Sequence, residues 1–145
     1  MGFFKKAINY VGKDNLFLII SDDITWCKKH FNGINFHFTD NKTPTEDIYL
    51  QTLCTNNIIS NSTFSWWGAW LNDSPNKIVI VPTPWFSKQL SFNDTNDLIP
   101  KNWVQIKNKM PLKMTIKMYE IIITRFCKSR IKEFIRFHSL IYSQF

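Results

Sequence analysis

Ser62, Thr63 and Ser65 set three hydroxyls in a short turn between the apolar run that ends at Ser60 and an aromatic-rich stretch, Phe64 to Trp70. The first backbone N–H groups of a helix have no partner within it, and the helix dipole favours negative charge there. Hydroxyls at such a point therefore either cap the helix or help to hold a phosphate or sugar. The spacing suits both roles. Downstream, Trp66 and Trp70 fall on one helical face and Trp67 is offset by about a third of a turn. Core packing accounts for most of that pattern, with one ring of the three left for stacking on a sugar or a base.

Asp22 and Asp23 follow another apolar run, Asn15 to Ser21. A carboxylate at a strand end can accept two hydrogen bonds from the N1–H and N2–H2 edge of guanine, a fit that adenine cannot supply, so either residue could read a base. The competing role is to cap the next helix. Neighbouring side chains on an extended segment diverge, and no His or third carboxylate is close in sequence, so the pattern predicts no metal site. His30, His37 and His138 lack ligand spacing, and the glycines at 2, 12, 33 and 68 cannot form a Gly-rich phosphate loop. Cys27, Cys54 and Cys127 are an odd set without CxxC spacing, which fits core thiols in a reducing cytoplasm.

These residues need a frame, and the chain offers one. Residues 3 to 13 read as the end of a helix, and Asn15 to Ser21 as a strand covered on both faces. A helix then runs from about Ile24 to near Gly33, followed by a strand over Asn35 to Thr39. Thr43-Pro44-Thr45-Glu46 is a helix start with an N-cap, a proline at the first position and a capping-box Glu, and this helix extends to about Thr55. Ile58 to Ser60 is a short strand, Phe64 to Asn72 a helix, and Lys77 to Val81 a strand stopped by Pro82. Pro82 to Lys101 reads as a long loop anchored by Trp85 and Phe86, before a last strand over Trp103 to Ile106. Alternating strands and helices predict an α/β fold, a Rossmann-like parallel sheet with ligands bound beyond the carboxyl ends of its strands.

The chain has 145 residues, 44% of them hydrophobic with 13 Phe and 6 Trp, which suffices for one core and excludes disorder. No apolar run is long enough to span a membrane, and the start, Met1 to Lys6, lacks the apolar region of a signal peptide, so a cytoplasmic location is expected. The net charge of +7 is uneven: residues 1–100 hold eight Lys against nine acidic groups, whereas residues 101–145 hold ten basic groups against two acidic ones. From Leu112 onward Tyr119, Ile123, Phe126, Ile131 and Phe134 share one helical face and Arg125, Lys128, Lys132 and Arg136 the opposite one. This basic amphipathic helix suits peripheral contact with an anionic membrane. Its cations are not interleaved with exposed stacking aromatics, so no nucleic acid partner is expected.

Three blocks carry a family resemblance. Ser21-Asp22-Asp23-Ile24-Thr25-Trp26-Cys27-Lys28 follows an apolar strand, Asp47-Ile48-Tyr49-Leu50 leads to Asn57 through Leu71, and Lys77-Ile78-Val79-Ile80 leads to Pro84-Trp85-Phe86. In order and spacing, over about residues 3 to 106, they resemble the family 11 glycosyltransferases, the α-1,2-fucosyltransferases that use GDP-fucose. The resemblance implies a two-lobed GT-B-type architecture, of which residues 1–106 would be the C-terminal, GDP-fucose-binding lobe and residues 107–145 a helical tail. It implies that Asp22 or Asp23 contacts guanine, and that Thr63, Phe64 and Ser65 contact the diphosphate and its neighbourhood; with Ser62 and Trp66 these make up the expected GDP-fucose-binding residues, and no catalytic residue is assigned. The reaction implied is metal-independent transfer of fucose, with inversion, from GDP-β-L-fucose to the 2-hydroxyl of a galactoside, with no cofactor besides the donor substrate.

One family signature, His-x-Arg-Arg-x-Asp, whose arginine pairs with the donor phosphates, has no counterpart, since Arg occurs only at positions 125, 130 and 136. Loss of such preorganised charge typically costs about a thousandfold in rate. A donor-binding piece, feeble or inactive alone and lacking the lobe that holds the galactoside acceptor, is therefore expected. Its alternatives are a non-catalytic GDP-sugar-binding remnant and one part of a split enzyme.

Overall fold

The computed structural model describes residues 2–40 and 42–108. The basic tail expected over residues 107–145 lies almost wholly outside the described residues. The elements run α1 (Gly2–Val11), β1 (Phe17–Ile19), α2 (Ile24–His30), β2 (Phe36–Phe38), α3 (Pro44–Thr52), β3 (Asn57–Ile58), α4 (Thr63–Leu71), β4 (Val79–Thr83), a 3-10 turn (Lys88–Leu90) and β5 (Val104–Lys107). The alternation read from the sequence is present, and every strand pairing is parallel. The strands form two hydrogen-bonded sets, β1-β2 and β3-β4-β5, where one continuous sheet was expected.

β4 is the buried centre. Val79 and Val81 join Ile59, Ala69, Trp85, Ile99 and Trp103 in one cluster, while Ile80 joins Phe3 and Ala7 of α1 in another. Helices or loops thus cover both faces of β4, which accounts for its unbroken apolar sequence. The same was expected of β1, but Leu16 and Leu18 are exposed. β1 has one strand partner, and its Leu18 side borders a cleft.

Pro82 does not stop β4, which continues to Thr83. The carbonyls of Ile78 and Ile80 accept hydrogen bonds from the Asn57 and Ile59 N–H groups, at and just after β3, so by the two-residue alternation of a strand the backbone nitrogen of Pro82 faces the same side, beyond the end of β3. No ladder bond is lost there, and proline is tolerated.

α3 begins as its sequence dictates: Thr43 Oγ1 accepts the Glu46 N–H at 3.3 Å and Glu46 Oε2 accepts the Thr43 N–H at 2.8 Å. It ends at Thr52, three residues short of expectation. There the Gln51 carbonyl accepts the Asn57 side-chain amide at 2.9 Å, and the Cys54 carbonyl accepts that of Asn72 at 2.7 Å. These buried amides, joined by Asn72 Nδ2 donating to Asn57 Oδ1 at 2.7 Å, bind the ends of α3 and α4 to the start of β3. Lys77 Nζ completes the knot by donating to the Ala69 and Trp70 carbonyls at the end of α4. α3 and α4 approach closely because residue 68 is glycine: a Cβ there would lie 2.5 Å from Gln51 Oε1.

Candidate functional site

Beyond the carboxyl ends of β1, β2 and β3 opens a cleft of about 1030 Å³. This is where α/β proteins bind ligands. Ser21 to Thr25 approach it after β1, Thr39 and Asp40 after β2, Asp47 and Gln51 from α3, and Ser60, Ser62, Phe64 and Ser65 from the turn into α4. The residues proposed from sequence are thus largely brought together. Asp22, Asp23, Ser62, Phe64 and Ser65 line the cleft, whereas Thr63 and Trp66 are not part of its lining.

The two aspartates divide their roles. Asp23 caps α2, its Oδ1 accepting the Trp26 N–H at 3.0 Å and its own N–H donating to Ser21 Oγ at 3.1 Å. Asp22 is exposed at the cleft and has no polar partner among the described residues. Ser62 is the N-cap of α4, yet its hydroxyl makes no capping bond. Its N–H donates to the Ser60 carbonyl at 2.8 Å. The hydroxyl stays available to a ligand at the end of a helix where the dipole favours an anion.

Trp66 belongs to the interior: its Nε1–H donates to the Leu98 carbonyl at 2.7 Å, and its ring stacks on Trp70 with centroids 5.1 Å apart and lies 5.7 Å from that of Trp103. The loop after β4 is held by Trp85, buried in the same cluster, whose carbonyl accepts Asn61 Nδ2 at 3.3 Å.

Asp47 is the residue that sequence reasoning missed. Its Oδ1 is buried at the cleft without a hydrogen-bond partner. A carboxylate oxygen in that position is costly unless something donates to it. The sequence signal was present but ambiguous, because an acidic residue in the first turn of a helix also complements the dipole. Lys28 and Lys42, the cations of the lining, were likewise assigned no role. Lys28 pairs with Asp40 at 2.7 Å, and Lys42 with Glu46 at 3.8 Å.

Hydrogen bonds from the Thr43 backbone and hydroxyl, aided by Lys42, hold the Glu46 carboxyl below its usual range. Burial pushes up the Cys54 thiol, which lines the cleft floor as a neutral group. Among the described residues no three His, Cys, Asp or Glu side chains gather as a metal-ligand set.

The profile of one protein family, Glycosyl transferase family 11, matches residues 1–107. The chain belongs to glycosyl transferase family 11. Two relatives from Escherichia coli accompany that match. The O-antigen biosynthesis glycosyltransferase WbnK is 34% identical over 113 residues, covering 73% of this chain and 36% of the relative. An alpha-1,2-colitosyltransferase is 40% identical over 97 residues, covering 63% of this chain and 33% of the relative. The family 11 chain thus spans about a third of the length of the curated relatives it matches. No solved structure matches it. Among its described residues no helix is long and apolar enough to cross a membrane.

Proposed function

We propose that this chain is the donor-binding part of a family 11 α-1,2-glycosyltransferase, with residues 1–106 forming the Rossmann-like lobe of a GT-B-type enzyme that takes GDP-fucose. The observation that carries the reading is the cleft itself, where the exposed, unpartnered Asp22 and Asp47, whose buried Oδ1 has no donor, line the same space as Ser62, whose hydroxyl makes no capping bond, and Ser65 at the start of α4. Carboxylates suit the N–H edge of guanine, and the helix start suits a phosphate. Because Asp23 is engaged in capping α2, Asp22 and Asp47 are the better acceptors for the base.

The reaction we assign to the assembled enzyme is attack by the 2-hydroxyl of a galactoside on the anomeric carbon of the sugar, with inversion and release of GDP. The cleft described here would hold the nucleotide and orient the leaving diphosphate. The colitosyltransferase relative makes a colitosyl donor the competing specificity.

No Arg precedes position 125, and both cations of the cleft lining are lysines already paired with carboxylates. Binding of GDP without sugar transfer is therefore expected of residues 1–145 alone. Calorimetry with GDP, GDP-fucose and ADP, beside a transfer assay on a galactoside, tests the reading. Equal affinity for GDP and ADP would remove the guanine site, and efficient transfer would remove the assignment as a donor-binding part.

A further inference from the structure

Four carboxylates, Asp22, Asp23, Asp40 and Asp47, line the cleft with only two ammonium groups, Lys28 and Lys42. A nucleoside diphosphate entering it meets an excess of negative charge, and it gains a cation only by drawing one from a carboxylate. The two pairs differ in how readily they yield. Glu46 Oε2 also accepts the Thr43 N–H at 2.8 Å and the Thr43 hydroxyl at 2.9 Å, and Lys42 lies four residues before it at the same helix start. That pair is one local piece.

Lys28 and Asp40, in contrast, come from different elements, the last turn of α2 and the segment after β2. Asp40 has no second partner among the described residues, and both side chains are about half exposed, 48% and 52%. Lys28 Nζ also lies 5.9 Å from the centre of the Phe38 ring, at the outer limit of a cation–π contact, so Asp40 is its one close polar partner among the described residues. An exposed pair of this kind is held by less than about fivefold in equilibrium. Phosphate oxygens carrying more charge than one carboxylate compete well for it.

We propose that Lys28 is the phosphate-facing cation of this cleft, and that Asp40 sets the affinity for a diphosphate by competing for Lys28. The location rests on the donor-site reading, whereas the prediction concerns phosphate against none and is independent of which base is recognised. Asp40 thus acts as an affinity-setting residue that neutralises Lys28 in the empty cleft and lets the diphosphate replace one ion pair with another.

Calorimetry at low salt on the full chain, with guanosine, GDP and ADP as ligands, tests this on the wild type, K28Q, D40N, the double variant and K29Q. Lys29 is outside the cleft lining and serves as the charge control. The proposal expects K28Q to lower GDP affinity about five- to tenfold, and D40N to raise it about three- to fivefold, each with guanosine unmoved. If Asp40 acts through Lys28 the double variant should behave as K28Q, whereas a double variant that binds GDP more tightly than K28Q would show direct repulsion by Asp40 and overturn the proposal; K29Q should leave the ratio of GDP to guanosine affinity unchanged. The proposal is overturned if D40N leaves that ratio unchanged or lowers it, or if K28Q weakens guanosine and GDP alike, the mark of a purely structural residue. Equal binding of GDP and ADP would refute the guanine reading while the same ratios still decide the role of Lys28, and no diphosphate binding at all would overturn both.

Discussion

Asp47 shows at the scale of one residue what an amino-acid pattern conceals. In the sequence it is an acidic residue just inside a helix, indistinguishable from a dipole partner. Only packing reveals that its Oδ1 is buried at the cleft with no donor. Asp22 and Asp23 were legible as a pair but not separately, since the choice of which one caps α2 depends on the local backbone. The hydroxyls at Ser62 and Ser65 were the most legible, because hydroxyls opening a helix have few uses. Trp66 was not, for a ring facing ligand and a ring facing core occupy the same helical spacing. D47N should lower GDP affinity about tenfold and leave the far-UV circular dichroism unchanged, as measured by calorimetry and spectroscopy on the same preparation. Unaltered GDP binding would exclude Asp47 from the site.

At the scale of elements, the order of helices and strands followed from turn chemistry and periodicity, and the differences lie where tertiary contacts decide. Pro82 continues β4 because its nitrogen faces past the end of β3, and α3 stops early where the side-chain amide of Asn57 from β3 takes the Gln51 carbonyl. Neither is visible within the segment concerned. Gly68 marks the closest approach of α3 and α4, and a Cβ there would meet Gln51 Oε1 at 2.5 Å and Gln51 Cβ at 2.8 Å. G68A should cost about 1–3 kcal/mol in urea unfolding. Adding Q51A should not restore stability, because alanine keeps the offending Cβ; full rescue by Q51A would show that the helices are not held so close.

The capping box of α3 has a pH signature. Glu46 has a lowered pKa in the folded chain, so its contribution is complete above the ordinary Glu range, about pH 4.3, and fades as pH falls through the lower folded value. The stability difference between wild type and E46A, followed by thermal unfolding, should be present at neutral pH and vanish in acid. A difference that persisted in acid would point to packing rather than the carboxylate.

Across the whole molecule, the described residues form a parallel α/β unit whose strand ends converge on one cleft, in a chain that covers about a third of the length of the curated relatives it matches. The parallel α/β class was legible because alternating helical and strand periodicity admits few layer arrangements. The division of the strands into two sets was not, since it depends on which edges pair. The claim on which the functional reading turns is that this cleft recognises a guanine nucleotide through carboxylates. The direct measurement is calorimetric titration of the chain with GDP and with ADP under identical salt. A site built to accept the N1–H and N2–H2 donors of guanine should bind GDP at least about tenfold more tightly than ADP, and equal affinities, or none for either, would contradict it.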